Sequence, residues 1–201
     1  MSAPARIAFL TGQSDPGRGA LSPVQRAALD ALAADGDGFD FDPHQFPWDR
    51  TATAWRPVPL LRASLANGRQ YLAARRGALH GMAPAQREAA RERLQDAPRT
   101  LLLVGSCGLA LLDALIAPFD AAQRARIRVV AYGAVAPRWP RGLHGVQLRG
   151  ERDRIAAWFG PADGPSPRPV AAGHLDYLDG DAARNAVLAA AREQFGWLRG
   201  A

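Results

Sequence analysis

The chain has 201 residues, 48% hydrophobic and 22% charged. That balance suits one soluble globular domain with a full core and excludes a disordered tail, a collagen-like fibre or a membrane-embedded bundle. The formal charge is +6, but all 25 basic residues are arginine and they are spread evenly along the chain, so there is no basic arm and nucleic acid is not an expected partner.

From the start, Arg6 to Thr11 (RIAFLT) is a short apolar run ending at Gly12, the pattern of a buried strand feeding a loop. The run is too brief for a signal-peptide core, and no later segment approaches the roughly 18 apolar residues of a membrane span. A cytoplasmic location without membrane contact is the expectation. After the loop, Ser22 is placed to cap a helix with Pro23 in its first position and Gln25 in its third. Val24, Ala28, Leu29 and Leu32 follow at helical spacing, and the helix should end near Asp35-Gly36. Phe39 and Phe41 alternate with acids over residues 38–46, a short second strand limited by Pro43 and Pro47.

Two peripheral amphipathic helices are expected over 60–76 and 84–95. Thr100 to Gly105 (TLLLVG) is an unbroken apolar run, as in a strand buried on both faces of a parallel sheet. Leu109 to Ala117 (LALLDALIA) is apolar almost all round and reads as a central helix. Strands over 127–132 and 145–148, a helix over 155–159, a strand over 169–172 and a terminal helix over 181–195 complete the series. Alternating strands and helices predict a single α/β domain spanning 1–201, with a small, mostly parallel sheet of about five or six strands flanked by helices.

The sharpest local feature is LLLVGSCGL, Leu101 to Leu109, a buried strand that turns through small residues straight into a buried helix. Here the sequence resembles the α/β-hydrolase family, whose nucleophile elbow reads Gly-x-nucleophile-x-Gly on a strained strand-to-helix turn. Two registers fit. Cys107, the single cysteine, has Gly105 two residues before it but Leu109 two after it, and it is the favoured nucleophile in this reading. Ser106 is the alternative nucleophile, with Gly108 two after it and Val104 two before it. A third reading leaves Cys107 a small buried hydrophobe at a tight junction.

Chain order adds to the resemblance. The strand ending Val146-Gln147-Leu148 runs into Arg149-Gly150-Glu151-Arg152-Asp153, similar to the family's strand-end glycine and acid. Ala172-Gly173-His174 is similar to the Gly-His that carries its histidine. The order nucleophile, acid, histidine is that of the family. Asp153 also fits as the cap of a short helix from Arg154, and Asp176 and Asp179 compete with it as the histidine's partner.

The resemblance implies covalent acyl transfer through Cys107, Asp153 and His174, in a compact member with little or no lid and no cofactor or metal. It places an oxyanion hole at the amide of Gly108 and in the loop Gly12-Gln13-Ser14. Residues 9–14 also resemble the N-terminal Gly-Gln segment of malonyl-type acyltransferases. The loop mimics a phosphate-binding P-loop through Gly12 and Gly17, but Arg18 and Gly19 replace its lysine and hydroxyl residue, which removes that chemistry. Arg18, Arg152 and Trp139 are candidate substrate contacts, and Trp48, Trp55 and Trp158 join Trp139 as candidate pocket aromatics. The expected partner is a small-molecule acyl substrate, free or bound to a carrier protein or coenzyme A. A hydrolase-like scaffold that binds without catalysing is the alternative function.

Overall fold

A computed structural model describes residues 3–12, 19–48 and 54–200. Six strands, β1 (Arg6–Leu10), β2 (Asp40–Gln45), β3 (Thr100–Gly105), β4 (Ile127–Tyr132), β5 (His144–Gly150) and β6 (Arg168–Val170), form one sheet in the order β2-β1-β3-β4-β5-β6. Every pairing is parallel. The eight helices among the described residues are α1 (Pro23–Ala33), α2 (Leu60–Ala74), α3 (Pro84–Asp96), α4 (Gly108–Leu115), α5 (Ala121–Ala125), α6 (Arg154–Phe159), α7 (Asp181–Arg192) and α8 (Phe195–Arg199).

The central strand shows why this sequence forms a three-layer structure. Leu101 to Val104 are wholly buried, and alternate residues point to opposite faces of the sheet. Leu102 and Val104 join the core that contains α4 and the buried side of α3, whereas Leu101 and Leu103 join the core of α1 and α7. Burying a leucine side chain contributes about 1.5–3 kcal/mol, so this four-residue run anchors both layers. The predicted cap of α1 forms as a reciprocal box: Gln25 N–H donates to Ser22 Oγ, and Ser22 N–H donates to Gln25 Oε1 at 2.9 Å.

One element and several boundaries differ from the sequence expectation. A one-turn helix, α5, forms after Asp120, which caps it by accepting from Gln123 N–H at 2.8 Å; Asp120 with Gln123 is the capping signal that the pattern reading passed over. The terminal helix, expected to run through Phe195, breaks after Arg192 and resumes as α8. Strand β6 ends at Val170, two residues before the expected limit. No helix among the described residues is long and apolar enough to cross a membrane.

The chain runs from β1 outward to β2 and then returns past β1 to β3, so the strand order reverses between β1 and β3. At such a reversal the loops leaving the two strands diverge and open a crevice at their carboxyl ends. Gly12 follows β1 there and Ser106 follows β3. Close packing at this point requires a glycine: a Cβ on Gly108 would lie 2.3 Å from the Leu10 carbonyl oxygen, whereas a Cβ on Gly68, in exposed α2, would meet nothing within 4 Å. Gly108→Ala should therefore lose about 1–3 kcal/mol through overpacking, while Gly68→Ala should gain up to about 1 kcal/mol from helix propensity. Urea unfolding of the two variants checks this pair of opposite signs.

Candidate active site

Strand β3 ends at Gly105 and α4 begins at Gly108, leaving two residues to reverse direction. Ser106 takes up the turn with φ of 50°, and among the described residues it is the one non-glycine at positive φ. Such a conformation costs an L-residue roughly 1–2 kcal/mol. It is held by backbone bonds on both sides: Ser106 N–H donates to the Tyr132 carbonyl at 3.4 Å, and Val135 N–H donates to the Ser106 carbonyl at 2.9 Å. The result is a side chain standing out of the turn, with Ser106 Oγ 3.1 Å from His174 Nε2.

Cys107 goes the other way. It is the first residue to adopt helical angles, φ −68° and ψ −3°, and its side chain is 2% exposed within the core beside α4. Its Sγ lies 2.6 Å from where a Cβ on Gly12 would sit. Burial pushes the thiol pKa up to about 12, because a thiolate there would lose its hydration without gaining a cation. The hydrogen bond to imidazole expected at Cys107 is thus made by Ser106. Gly108 is buried as the first residue of α4, packed against the Leu10 carbonyl.

His174 reaches the turn from the loop after β6. That loop is pinned by Gly173 N–H donating to Asp176 Oδ1. The other ring nitrogen, Nδ1, is 3.1 Å from both carboxylate oxygens of Asp153. Asp153 follows β5, and its side chain is fully buried. It also caps α6, accepting from Ala156 N–H at 2.8 Å, so the two roles weighed for it coexist in one carboxylate. A third donor is Tyr177, whose hydroxyl gives its proton to Asp153 Oδ2 at 2.8 Å and accepts from Gly150 N–H at 2.6 Å. A buried carboxylate is tolerable only with such donors around it. Asp176 instead holds its own loop and pairs with exposed Arg152 at 3.4 Å.

Two glycines make room for this arrangement. Gly133, at φ 55°, lies where a Cβ would come 2.6 Å from the Tyr177 ring and 3.1 Å from Asp153 Oδ2. At Gly150 a Cβ would stand 2.3 Å from the Ala172 carbonyl oxygen. Tyr177 was absent from the sequence expectations; its signal, a tyrosine three residues after the Gly-His pair, is too weak to read without the fold.

A cavity of about 350 Å³ opens at the strand ends onto Ser106 and His174. Thr11, Gly12, Gln25, Gln45 and Tyr132 line it from the sheet side and α1, while Trp55, Arg56 and Asn67 line it from the segment around α2. Trp55 is therefore the one pocket-lining residue of the four candidate tryptophans. Trp139, expected at the substrate, is buried elsewhere, its indole N–H donating to the Leu143 carbonyl at 2.9 Å. Trp48 is buried in the core, and Trp158 is 77% exposed on α6. Gln13, Ser14 and Arg18 lie outside the described residues.

No protein-family model matches the sequence, and no curated protein matches it. Among solved structures, the chain is similar to a predicted CIB-like hydrolase from Thermoplasma acidophilum, with a TM-score of 0.50 and 15% identity, over 100% of this chain and 88% of that one. At that identity the likeness concerns the fold. Together with the all-parallel six-stranded sheet and its flanking helices, it shows that this chain has an α/β-hydrolase fold.

Proposed function

We propose that the protein is an acyl hydrolase or acyltransferase in which Ser106 is the nucleophile, His174 the general base and Asp153 the residue that orients and charges the imidazole. The observation that carries this reading is the positive-φ serine at the strand-to-helix turn with its Oγ 3.1 Å from His174 Nε2, backed by a buried Asp153 on the far side of the ring. A serine placed only for packing has no need of a strained backbone and an imidazole partner. The cavity opening on both groups favours catalysis over the non-catalytic scaffold. Ser106 replaces Cys107 in this scheme because the thiol is buried and uncharged.

In this reading the steps are those of covalent acyl transfer. Ser106 Oγ attacks the carbonyl carbon of an ester or thioester as its proton passes to His174 Nε2, and Asp153 stabilises the imidazolium that forms. In this reading the oxyanion is met by the N–H of Cys107, the amide after the nucleophile, on the side of the cavity that Gly12 lines. Collapse breaks the bond to the leaving group, which takes the proton from Nε2. Water, or another acceptor in a transferase, then enters by the same route and releases the acyl group from Ser106.

Ser106→Ala and His174→Ala should each lower kcat/KM toward p-nitrophenyl esters by about 10³-fold or more, and Asp153→Asn by about 10²–10⁴-fold. Cys107→Ala, which keeps its backbone N–H, should retain at least about a tenth of the activity. Steady-state kinetics with folding checked by circular dichroism decides; an inactive Cys107→Ala beside an active Ser106→Ala would reverse the assignment.

The thiol supplies a separate test. Cys107 should resist a disulfide reagent at pH 8 in the native protein and react fully in denaturant. The unfolded thiol loses its proton near 9.0 and the folded one near 12, so its contribution to stability is complete below about 9 and declines as the pH rises through that interval. The alkaline fall in urea midpoint should therefore be shallower in Cys107→Ala.

A further inference from the structure

The cavity wall beside the elbow carries polar groups that the acyl-transfer chemistry does not use. Tyr132, the last residue of β4, is 7% exposed, and its hydroxyl is buried without a hydrogen-bond partner. It faces Gln25 of α1 without reaching bonding geometry. Gln25 Oε1 accepts from Ser22 N–H and, at 3.3 Å, from Gln45 Nε2, which also donates to Thr11 Oγ1 at 2.5 Å. All four side chains line the same cavity as Ser106.

An unpaired buried hydroxyl costs about 1–3 kcal/mol. Phenylalanine would fill this position without that cost. The chain also gives up a side chain to admit the ring: a Cβ on Gly105 would lie 2.8 Å from Tyr132 Cε2. Burial raises the phenol pKa, so the hydroxyl stays a neutral donor. Thr11, Gln25, Gln45 and Tyr132 are all neutral hydrogen-bonding side chains, a set that suits a hydroxyl or carboxamide.

Topology says which arm of a substrate meets this wall. In the sheet order β2-β1-β3-β4-β5-β6, Ser106 follows β3, and His174 follows β6 on one side of it. Thr11, Gln45 and Gln25 come from β1, β2 and α1 on the other; Tyr132 ends β4, on the His174 side, but its ring lies against Gly105 and its hydroxyl is near Gln25. Because Nε2 returns its proton to the leaving group, that group must lie on the imidazole side. The acyl arm is left facing the opposite wall. Resting on the acyl-transfer reading above, we propose that the site selects acyl groups bearing a neutral hydrogen-bonding substituent, a hydroxyl or carboxamide held by Tyr132 and the Gln25–Gln45 pair, over plain hydrocarbon chains.

The test compares two esters of nearly equal shape, p-nitrophenyl 3-hydroxybutanoate and p-nitrophenyl 3-methylbutanoate, with each enzymatic rate divided by that ester's uncatalysed hydrolysis. The wild-type protein should favour the hydroxy ester by about tenfold or more in kcat/KM. Tyr132→Phe should bring the ratio down to about one without lowering the melting temperature, since it removes an unpaired hydroxyl. A purely structural role for Tyr132 would reduce both rates together and leave the ratio intact, which overturns the proposal. So does a wild-type ratio at or below one while the methyl ester is hydrolysed in a Ser106-dependent manner, and in that case the acyl-transfer reading survives. If neither ester is hydrolysed, the underlying reading falls and the proposal falls with it. Should Tyr132→Phe not fold, the wild-type ratio and the same collapse in Gln45→Met carry the test.

Discussion

A chain leaving the end of β3 has two residues in which to turn into α4, and α4 has to run back directly over β1. Gly108 permits that close crossing, since any side chain there would strike the Leu10 carbonyl. With the helix so close, the turn before it is tight enough that Ser106 is forced to φ 50°. One backbone conformation thereby sends the serine hydroxyl toward solvent and the imidazole, and sends the neighbouring thiol into hydrocarbon. The position of Ser106 Oγ beside His174 Nε2 depends on that crossing. The strain, roughly 1–2 kcal/mol, is small beside the two apolar layers that β3 holds together.

The acid and the histidine are positioned by a different economy. Asp153 accepts from a helix N-terminus, a tyrosine hydroxyl and an imidazole at once, so the carboxylate is fixed by contacts that do not depend on substrate. Tyr177 ties it to the end of β5 through Gly150 N–H, and glycines at 133 and 150 leave the space in which that tie is made. Three loops following β3, β5 and β6 are thus locked to one another before any ligand arrives, the kind of preorganisation that proton transfer between side chains requires.

Much of this architecture is legible in the sequence because burial on both faces imposes continuous apolar runs, as in TLLLVG, and because caps such as Ser22-Pro23-x-Gln25 mark helix starts. That Asp153 and His174 follow strand ends could be read from their order in the chain. The register of the elbow could not. Gly105 and Gly108 each complete a plausible elbow, one around Cys107 and the other around Ser106, and the sequence does not reveal what each glycine is for. In the fold, Gly108 clears the helix past β1, while Gly105 clears the ring of Tyr132 from the adjacent strand. The second contact joins residues 27 positions apart and leaves no local pattern. Tyr132 and Tyr177 were hidden for the same reason: their significance lies in which buried polar atoms they meet. Trp139 illustrates the converse, a large aromatic whose composition suggested a pocket and whose indole is spent on the Leu143 carbonyl.

The central claim, that the cavity-lining hydroxyl of Ser106 and not the buried thiol of Cys107 is the group activated by His174, is tested most directly by treating the native protein with an alkyl fluorophosphonate and mapping the modified peptide by mass spectrometry. The account predicts one stoichiometric phosphonyl adduct, located on Ser106 and lost in His174→Ala. An adduct on Cys107, or labelling of Ser106 that persists undiminished without the imidazole, would contradict it.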